Sequence, residues 1–290
     1  MKSLFALLIG VLACIAPVRA EILHTERSLY RNIFVHEEGG QRCMRFGRNG
    51  LLRQSCITLS DPDTMVFVYT KMAMGALYLN PAPKRILIIG LGGGTLPRTF
   101  QKLFPDVVLD IAEIDPAVTR MAKQYFSFVP AVGTHVAEQD GRVYVKRALQ
   151  AGKTYDLVIL DAFDHQYIPE HLLTVEFLRE VKGLLAPNGV LAANTFATSR
   201  LYDSESATYH TVFGPFFNLA SASRVILARM SGLPDQAELV RNADALEDRL
   251  APFGTGKAFL LPKFEISERS PPDVRVLTDQ YSPANLLNEE

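Results

Sequence analysis

Residues 85–95 read RILIIGLGGGT, an apolar run that ends in four glycines within five residues. A continuous aliphatic run is typical of a buried parallel strand, and glycines at its carboxyl end allow a sharp turn and a close approach to a ligand. A helical pattern follows over residues 96–104. The stretch therefore predicts a strand, a nucleotide-binding turn at Gly90, Gly92 and Gly94, and a helix.

An acidic residue follows at the distance that such a turn requires. Glu113 ends a second apolar run, roughly 20 positions after the glycines. A carboxylate there can accept both hydroxyls of a ribose, which indicates a nucleoside ligand; the alternative is a solvated charge at a strand end. Asp115 then caps a predicted helix that has Pro116 at its first position and runs to about Phe126.

Two further strands follow the same order. Residues 135–139 lead into Asp140 and Gly141, and residues 155–160 lead into Asp161. The recurrence of strand, acid and helix predicts an α/β sheet with short right-handed crossovers.

The acids at the strand ends are expected to meet. In α/β sheets, ligands bind beyond the carboxyl ends of the strands. The predicted members of this cleft are Glu113, Asp140, Asp161 and Asp164.

The order of these motifs resembles the spermidine synthase (polyamine aminopropyltransferase) family over roughly residues 51–213. The shared features are the glycine turn, EID at 113–115, QDGR at 139–142, YDLVILDAFD at 155–164, LTVEFL at 173–178 and PNGVL at 187–191, with a weaker echo at 277–283. The resemblance implies a Rossmann-like sheet of the class I methyltransferase type with a small amino-terminal β domain. It also implies transfer of an aminopropyl group from decarboxylated S-adenosylmethionine, as a co-substrate and not a tightly bound cofactor, to a di- or polyamine.

The resemblance also implies roles for single residues. It assigns the ribose hydroxyls to Glu113, the adenine amino group to Asp140 and the proton of the attacking amine to Asp161. Asp164 would hold the diamine, and Tyr69 would line its pocket. The nucleoside-binding set is Gly90, Gly92, Gly94, Glu113, Asp140 and Gly141.

General chemistry supports a role for these acids in amine transfer, independently of the resemblance to the family. A protonated amine cannot attack carbon, so a carboxylate must orient it and accept its proton. The sulfonium donor and the amine acceptor are both cations, and an acidic cleft suits both.

Three departures from the family pattern affect the part of the site that would bind the amine groups. Gly93 stands where the family has an acid that grips the aminopropyl amine, and residues 165–169 replace a Pro-x-Gly-Pro segment. Lys71 stands where the family has an acid, and a lysine in the pocket would repel a polyamine. Two alternatives therefore stay open: an S-adenosylmethionine-dependent methyltransferase, and an exported binder of polyamines or nucleosides without turnover.

Polar residues after Asp164 include His165, Glu170 and His171. Their spacing fits no usual metal motif, and no cysteine supports them. They are expected to be polar loop residues, with no metal bound.

Residues 1–20 have the pattern of a secretory signal. Lys2 precedes an apolar run at 4–16, and small residues lead to a predicted cleavage after Ala20. The run is too short to span a bilayer comfortably. Export to the periplasm is expected, and a lipobox ending at Cys14 is the alternative.

Composition suits a soluble protein. Of 290 residues, 48% are hydrophobic and 21% are charged, which fits a small domain at 21–80 beside a larger one at 81–290. Loss of the signal takes away two positive charges and changes the formal charge from −1 to −3. Without a basic run, no nucleic-acid partner is expected, only small amine and nucleoside substrates and, as an open alternative, a second copy of the chain.

The amino-terminal region predicts strands and turns. Strands are expected at 30–36, 42–46 and 51–59, followed by a helix at 64–79. Gln54 is interpreted as an exposed strand residue.

A two-residue turn at Asn49 and Gly50 predicts a disulfide. Opposed residue numbers then sum to 99, which places Cys43 against Cys56 in a non-hydrogen-bonded pair with α-carbons about 4.5 Å apart. A disulfide tolerates that distance, and an oxidising compartment would preserve it. The alternative is two unrelated buried thiols.

Overall fold

The computed structural model describes residues 21–47, 53–162 and 168–283. Over these ranges, none of the helices combines the length and apolarity needed to cross a bilayer. Several predicted features lie outside them: the signal at 1–20 with Cys14, the turn at Asn49 and Gly50, Asp164 and His165.

The amino-terminal part is a four-stranded antiparallel sheet in the order β1-β2-β3-β4. Its strands are β1 (Glu21–Arg27), β2 (Asn32–Glu38), β3 (Gln41–Phe46) and β4 (Arg53–Thr58). One face carries the buried side chains of Ile33, Val35, Met44 and Ile57, which form a cluster with Phe126 of the larger part. The two parts therefore share a core.

Cys43 lies opposite Cys56 in the β3–β4 pair, and the two form a disulfide with their α-carbons 4.1 Å apart. From Gln41 to Met44, the residues of β3 face the expected residues of β4. The register shifts after Met44, so that Arg45 lies opposite Arg53. The expectation of one uninterrupted register is therefore wrong, because an irregularity shifts the ladder by one residue between Met44 and Arg45.

The predicted helix at 64–79 is wrong in its extent. The structure has two short helices, α1 (Val68–Ala73) and α2 (Ala76–Leu79), separated near Gly75. Glycine is a weak helix former, and here the backbone packs so closely that a β-carbon would lie 2.9 Å from the carbonyl oxygen of Met72.

The larger part alternates strands and helices as predicted. Its elements are β5 (Arg85–Ile89), α3 (Thr95–Leu103), β6 (Val108–Glu113), α4 (Pro116–Tyr125), β7 (Thr134–Glu138), α5 (Gly141–Gln150), β8 (Tyr155–Leu160), α6 (Val175–Leu184), β9 (Leu185–Thr195), α7 (Tyr202–Phe213), β10 (Phe216–Ala220), β11 (Arg224–Arg229), α8 (Gln236–Leu250), α9 (Lys257–Leu260) and β12 (Glu265–Ser267). Short 3₁₀ turns lie at Glu170–Leu172, Ala251–Phe253 and Leu261–Lys263.

The strands form one sheet in the order β12-β10-β11-β9-β8-β5-β6-β7. The run from β9 to β7 is parallel, and β11, β10 and β12 pair antiparallel. Along β5, Ile86 and Ile88 enter one apolar cluster, whereas Leu87 and Ile89 enter another. Since both faces are covered, the continuous aliphatic strand is explained. The predicted α/β fold with an amino-terminal β sheet is confirmed.

The disulfide should stabilise the amino-terminal sheet. Replacing Cys43 and Cys56 together by alanine should lower the free energy of unfolding by about 3 kcal/mol, since a closed loop of about 14 residues restricts the unfolded chain. Urea denaturation of the protein purified without reductant measures this difference. Wild-type protein with added reductant is the control and should lose a similar amount. Two titratable thiols in the unreduced, denatured wild type would contradict the bridge.

Candidate active site

The candidate site lies along the carboxyl ends of four neighbouring parallel strands. The strands β8, β5, β6 and β7 lie side by side in that order, and Asp161, the glycine turn, Glu113 and Asp140 stand at their ends. All four features line one cleft of about 1130 Å³. The structure thus brings together the three predicted acids that lie within its described ranges.

The glycine turn brings two strands close together. Gly90 has φ +100°, and a β-carbon there would lie 2.3 Å from the carbonyl oxygen of Asp161. Gly90 and Gly92, which has φ +52°, line the cleft. Gly94, with φ +76°, begins α3 and packs on Phe128, where a β-carbon would lie 2.8 Å from that side chain. It therefore shapes the turn from behind and is not among the residues that line the cleft.

Glu113 is fixed by backbone donors. The N–H of Leu91 donates to Oε2 at 3.0 Å, and the N–H of Asp115 donates to Oε1 at 2.9 Å. Burial raises the pKa of Glu113, and the two N–H bonds counteract part of that shift. The residue is only 8% exposed, so the alternative of a solvated charge is wrong. Because a carboxylate oxygen accepts more than one hydrogen bond, both oxygens keep capacity for a ligand in the cleft.

Asp140 directly precedes α5, and its side chain caps the first turn of that helix. The N–H of Val143 donates to Oδ1 at 3.0 Å, while the Nε2 atom of His171 lies 2.8 Å from Oδ2. The hydrogen bond with His171 is the largest cause that lowers the pKa of Asp140. Gly141 follows in the cleft wall, and a β-carbon there would lie 2.4 Å from Ile89. The expected polar loop residue His171 is thus part of the site.

Asp161 has two neutral hydrogen-bond donors. Nδ2 of Asn194 donates to Oδ1 at 3.0 Å, and the hydroxyl of Tyr69 also bonds to the carboxylate. Burial raises the pKa of Asp161 to about 7, although both donors act to lower it. Burial, with the adjacent Asp161 charge, also raises the pKa of Tyr69 well above its usual range. The arrangement gives a carboxylate that can exchange a proton near neutral pH.

The unpredicted residues of the cleft include Asn194 and Gln54. Asn194 lies near the end of β9, so the rule that located the acids at strand ends also predicts a polar site residue there. Gln54 was interpreted as an exposed strand residue, which is wrong: it is half-buried and lines the cleft. Gln54 lies at the register shift of the β3–β4 ladder, between the paired residues Arg53 and Ser55.

Lys71 does not line the cleft. Its Nζ lies 5.6 Å from the ring centre of Phe259, on a different side of α1 from Tyr69. Residues two apart on a helix point in different directions. The expectation that this lysine repels an amine in the pocket is therefore wrong.

Gly93 is also turned away from the cleft. Its N–H donates to Oγ of Ser55 at 2.7 Å, and a β-carbon would lie 3.1 Å from the ring of Phe126. The β-carbon of an acid introduced at this position would therefore contact the ring of Phe126. The turn is thus packed on Ser55 of β4 and on Phe126, the residue that follows α4.

The fold and the cleft together define a Rossmann-like nucleoside-binding protein with a carboxylate suited to proton transfer. Residues 66–219 match the family model described as the spermine/spermidine synthase domain. A polyamine aminopropyltransferase of Vibrio vulnificus is 45% identical over 290 residues, which cover 98% of this chain and 97% of that protein. This chain belongs to the spermine/spermidine synthase family, and the resemblance seen in the motifs is confirmed.

Solved structures agree on the fold. A probable spermidine synthase from Corynebacterium glutamicum has a TM-score of 0.69 at 20% identity, covering 89% of this chain and 96% of that one. Human methyltransferase-like protein 13, in complex with SAH, has a TM-score of 0.55 at 28% identity, covering 63% of this chain and 89% of that one. The same sheet is therefore used by proteins named for two kinds of transfer.

Glu113→Ala should abolish nucleoside binding. Losing two charge-assisted hydrogen bonds of about 1.5–3 kcal/mol each should weaken methylthioadenosine binding at least about 100-fold by calorimetry. The N–H groups of Leu91 and Asp115 also lose their acceptor, so the folded state of the variant must be checked by circular dichroism.

The matched control is Glu138→Ala, which removes an exposed glutamate at the end of β7. It should bind methylthioadenosine as the wild type does. Equal binding by folded Glu113→Ala and wild-type protein would remove Glu113 from the site.

Proposed function

We propose that this protein transfers the aminopropyl group of decarboxylated S-adenosylmethionine to a di- or polyamine, with Asp161 as the proton acceptor. The observation that carries the proposal is the placement of a carboxylate with a pKa of about 7 directly beside the glycine turn. The 45% identity with a protein named polyamine aminopropyltransferase supports the same reaction.

The strand order supports one orientation of the donor. Neighbouring strands lie about 4.8 Å apart, so sites on successive strands are spaced like the parts of a nucleoside. We assign the base to the β7 end at Asp140, the ribose to Glu113 on β6 and the sulfonium to the glycine turn after β5. The acceptor amine then lies at the β8 end, beside Asp161 and Tyr69.

The reaction follows from this arrangement. The ammonium group of the acceptor gives a proton to Asp161, and the freed lone pair attacks the methylene carbon bonded to sulfur. A carbon–nitrogen bond forms as the carbon–sulfur bond breaks, and its electron pair neutralises the sulfonium to give methylthioadenosine. The hydrogen bonds from Asn194 and Tyr69 orient the carboxylate. Asp164 as the holder of the diamine stays a prediction.

Donor and product analysis separates the alternatives. The protein is incubated with putrescine and either decarboxylated or intact S-adenosylmethionine, and the products are identified by mass. Aminopropylated putrescine from the decarboxylated donor supports the proposal. A methylated product from the intact donor would replace it with a methyltransferase, and ligand binding without any product would indicate a binder.

We further propose that the mature protein is exported and begins at Glu21. The disulfide in the amino-terminal sheet and the pattern of residues 1–20 support this location. Amino-terminal sequencing of protein from the periplasmic fraction tests the cleavage, and an intact Met1 would contradict it. A homodimer also stays a prediction. Light scattering of the purified protein measures its mass in solution and so tests this prediction.

Asp161→Asn should lower turnover at least about 100-fold, because the amide keeps the shape but accepts no proton. In the wild type, kcat/KM should rise with pH below about 7 and level off above, because the proton acceptor must be ionised and burial raises its pKa to about 7. Asp106→Asn, an exposed aspartate outside the cleft wall, is the control. Unchanged turnover in Asp161→Asn would exclude Asp161 from the mechanism.

Tyr69→Phe should shift the acidic limb of this pH profile to higher pH. Its hydroxyl bond is one of the two that lower the pKa of Asp161, so the shift removes activity at pH 6 more than at pH 9. Tyr78→Phe is the matched control, since it removes another buried hydroxyl outside the cleft wall. An unmoved limb in Tyr69→Phe would show that Tyr69 does not act through Asp161.

A further inference from the structure

The amino-terminal sheet contacts the glycine turn through the side chain of Ser55 on β4. The N–H of Gly93 donates to Oγ of Ser55 at 2.7 Å, and this hydrogen bond is buried. A β-carbon at Gly92 would lie 2.8 Å from the same oxygen, and one at Gly93 would lie 3.1 Å from the β-carbon of Ser55. Ser55 is outside the cleft wall, whereas Gly92 lines the cleft. The serine therefore supports the turn from the side opposite a ligand.

The glycine turn needs such support because its backbone is conformationally free. Gly92 has φ +52° and Gly94 has φ +76°, both in the left-handed region that glycine enters readily. The hydrogen bond from Gly93 to Ser55 gives a buried N–H of the turn a fixed acceptor before any ligand binds. A turn that is already held in its binding conformation loses less entropy on binding, which increases affinity.

The disulfide in turn holds Ser55. In the β3–β4 ladder, Met44 lies opposite Ser55, and the neighbouring pair is Cys43 and Cys56, which are bonded. On the other side of Ser55 the register shifts, so the ladder that would fix the strand there is interrupted. Residues adjacent in a strand point to opposite faces of the sheet. The bridge therefore acts on the turn through the position of β4 and not by direct contact.

We infer that Ser55 is a positioning residue for the donor and that the Cys43–Cys56 disulfide acts through it. The hydroxyl of Ser55 holds the glycine turn in the conformation that binds the nucleoside, and the disulfide holds Ser55. Donor affinity is therefore coupled to the oxidation state of the bridge. The inference rests on the proposed function because that function places the sulfonium at the glycine turn.

Ser55→Ala removes the acceptor for the N–H of Gly93 and should weaken methylthioadenosine binding about tenfold or more by calorimetry. The KM for decarboxylated S-adenosylmethionine should rise by a similar factor, whereas the KM for putrescine should stay unchanged, because the acceptor lies at the β8 end. Ser60→Ala is the matched control, since it removes an exposed serine hydroxyl in the turn that follows β4. Equal donor KM in folded Ser55→Ala and wild-type protein would overturn the inference.

Reduction of the bridge provides a second test without a substitution. Dithiothreitol breaks the S–S bond with two electrons and two protons to give two thiols, and is itself oxidised to a cyclic disulfide. The reduced wild type, shown by circular dichroism to be folded, should bind methylthioadenosine about fivefold or more weakly than the oxidised protein. In Ser55→Ala, reduction should change the affinity much less, because the contact that transmits the effect is already lost.

The coupling must also act in the reverse direction. The wild type is equilibrated with a mixture of reduced and oxidised dithiothreitol, with and without saturating methylthioadenosine, and its thiols are trapped and counted by mass. The nucleoside should shift the equilibrium toward the disulfide by the same factor by which reduction weakens binding. An unshifted equilibrium, or a reduced protein that has lost its native fold, would overturn the coupling.

Failure of this inference is distinguishable from failure of the proposed function. If neither Ser55→Ala nor reduction affects donor affinity while the wild type forms aminopropylated putrescine, the inference is overturned and the proposed function stands. If both affect methylthioadenosine binding but no aminopropylated product forms, the proposed function is overturned and the coupling at the nucleoside site stands.

Discussion

The site depends on the contact between the ends of β5 and β8. The N–H of Asp161 donates to the carbonyl oxygen of Ile89 at 2.8 Å, and only a glycine at position 90 leaves room for the backbone of Asp161. This close approach places the carboxylate directly beside the glycine turn. In the proposed reaction, the base for the amine and the turn beside the sulfonium therefore depend on one packing constraint, and any side chain at Gly90 would separate them.

The acids at the strand ends accept hydrogen bonds from the backbone and also line the cleft. Asp115 and Asp140 accept backbone N–H bonds at the starts of α4 and α5, and Glu113 accepts the N–H groups of Leu91 and Asp115. Asp115 and Asp140 are thus held by the first turns of the helices that follow them, and Glu113 is held by the turns after both β5 and β6. This explains why the positions are readable from sequence, because an acid that begins a helix and faces a ligand must stand just where a strand ends.

What the sequence could predict was local or periodic. Apolar runs located the central strands, because they depend on neighbouring residues. The pairing of Cys43 with Cys56 was predicted correctly, although the uninterrupted register used to predict it is broken between Met44 and Arg45. The contact of His171 with Asp140 spans 31 positions and depends on how a loop returns across the cleft. The direction of Lys71 depends in the same way on where α1 begins. Contacts of this kind are decided by packing, which no spacing rule encodes.

Two of the three departures from the family pattern, at Gly93 and Lys71, lie outside the cleft wall. Gly93 and Lys71 both face away from the cleft, so neither substitution adds a cation beside Asp161. Within the described ranges, the side chains bonded to Asp161 are an amide and a phenol, and both are neutral. A buried carboxylate with neutral partners keeps its full attraction for a cation, and the acceptor ammonium supplies one. Binding the amine would lower the pKa of Asp161, and loss of the amine's proton to it would raise that pKa again. In the proposed reaction, the burial that raises the pKa of Asp161 to about 7 would therefore also let the carboxylate hold the ammonium group that it deprotonates.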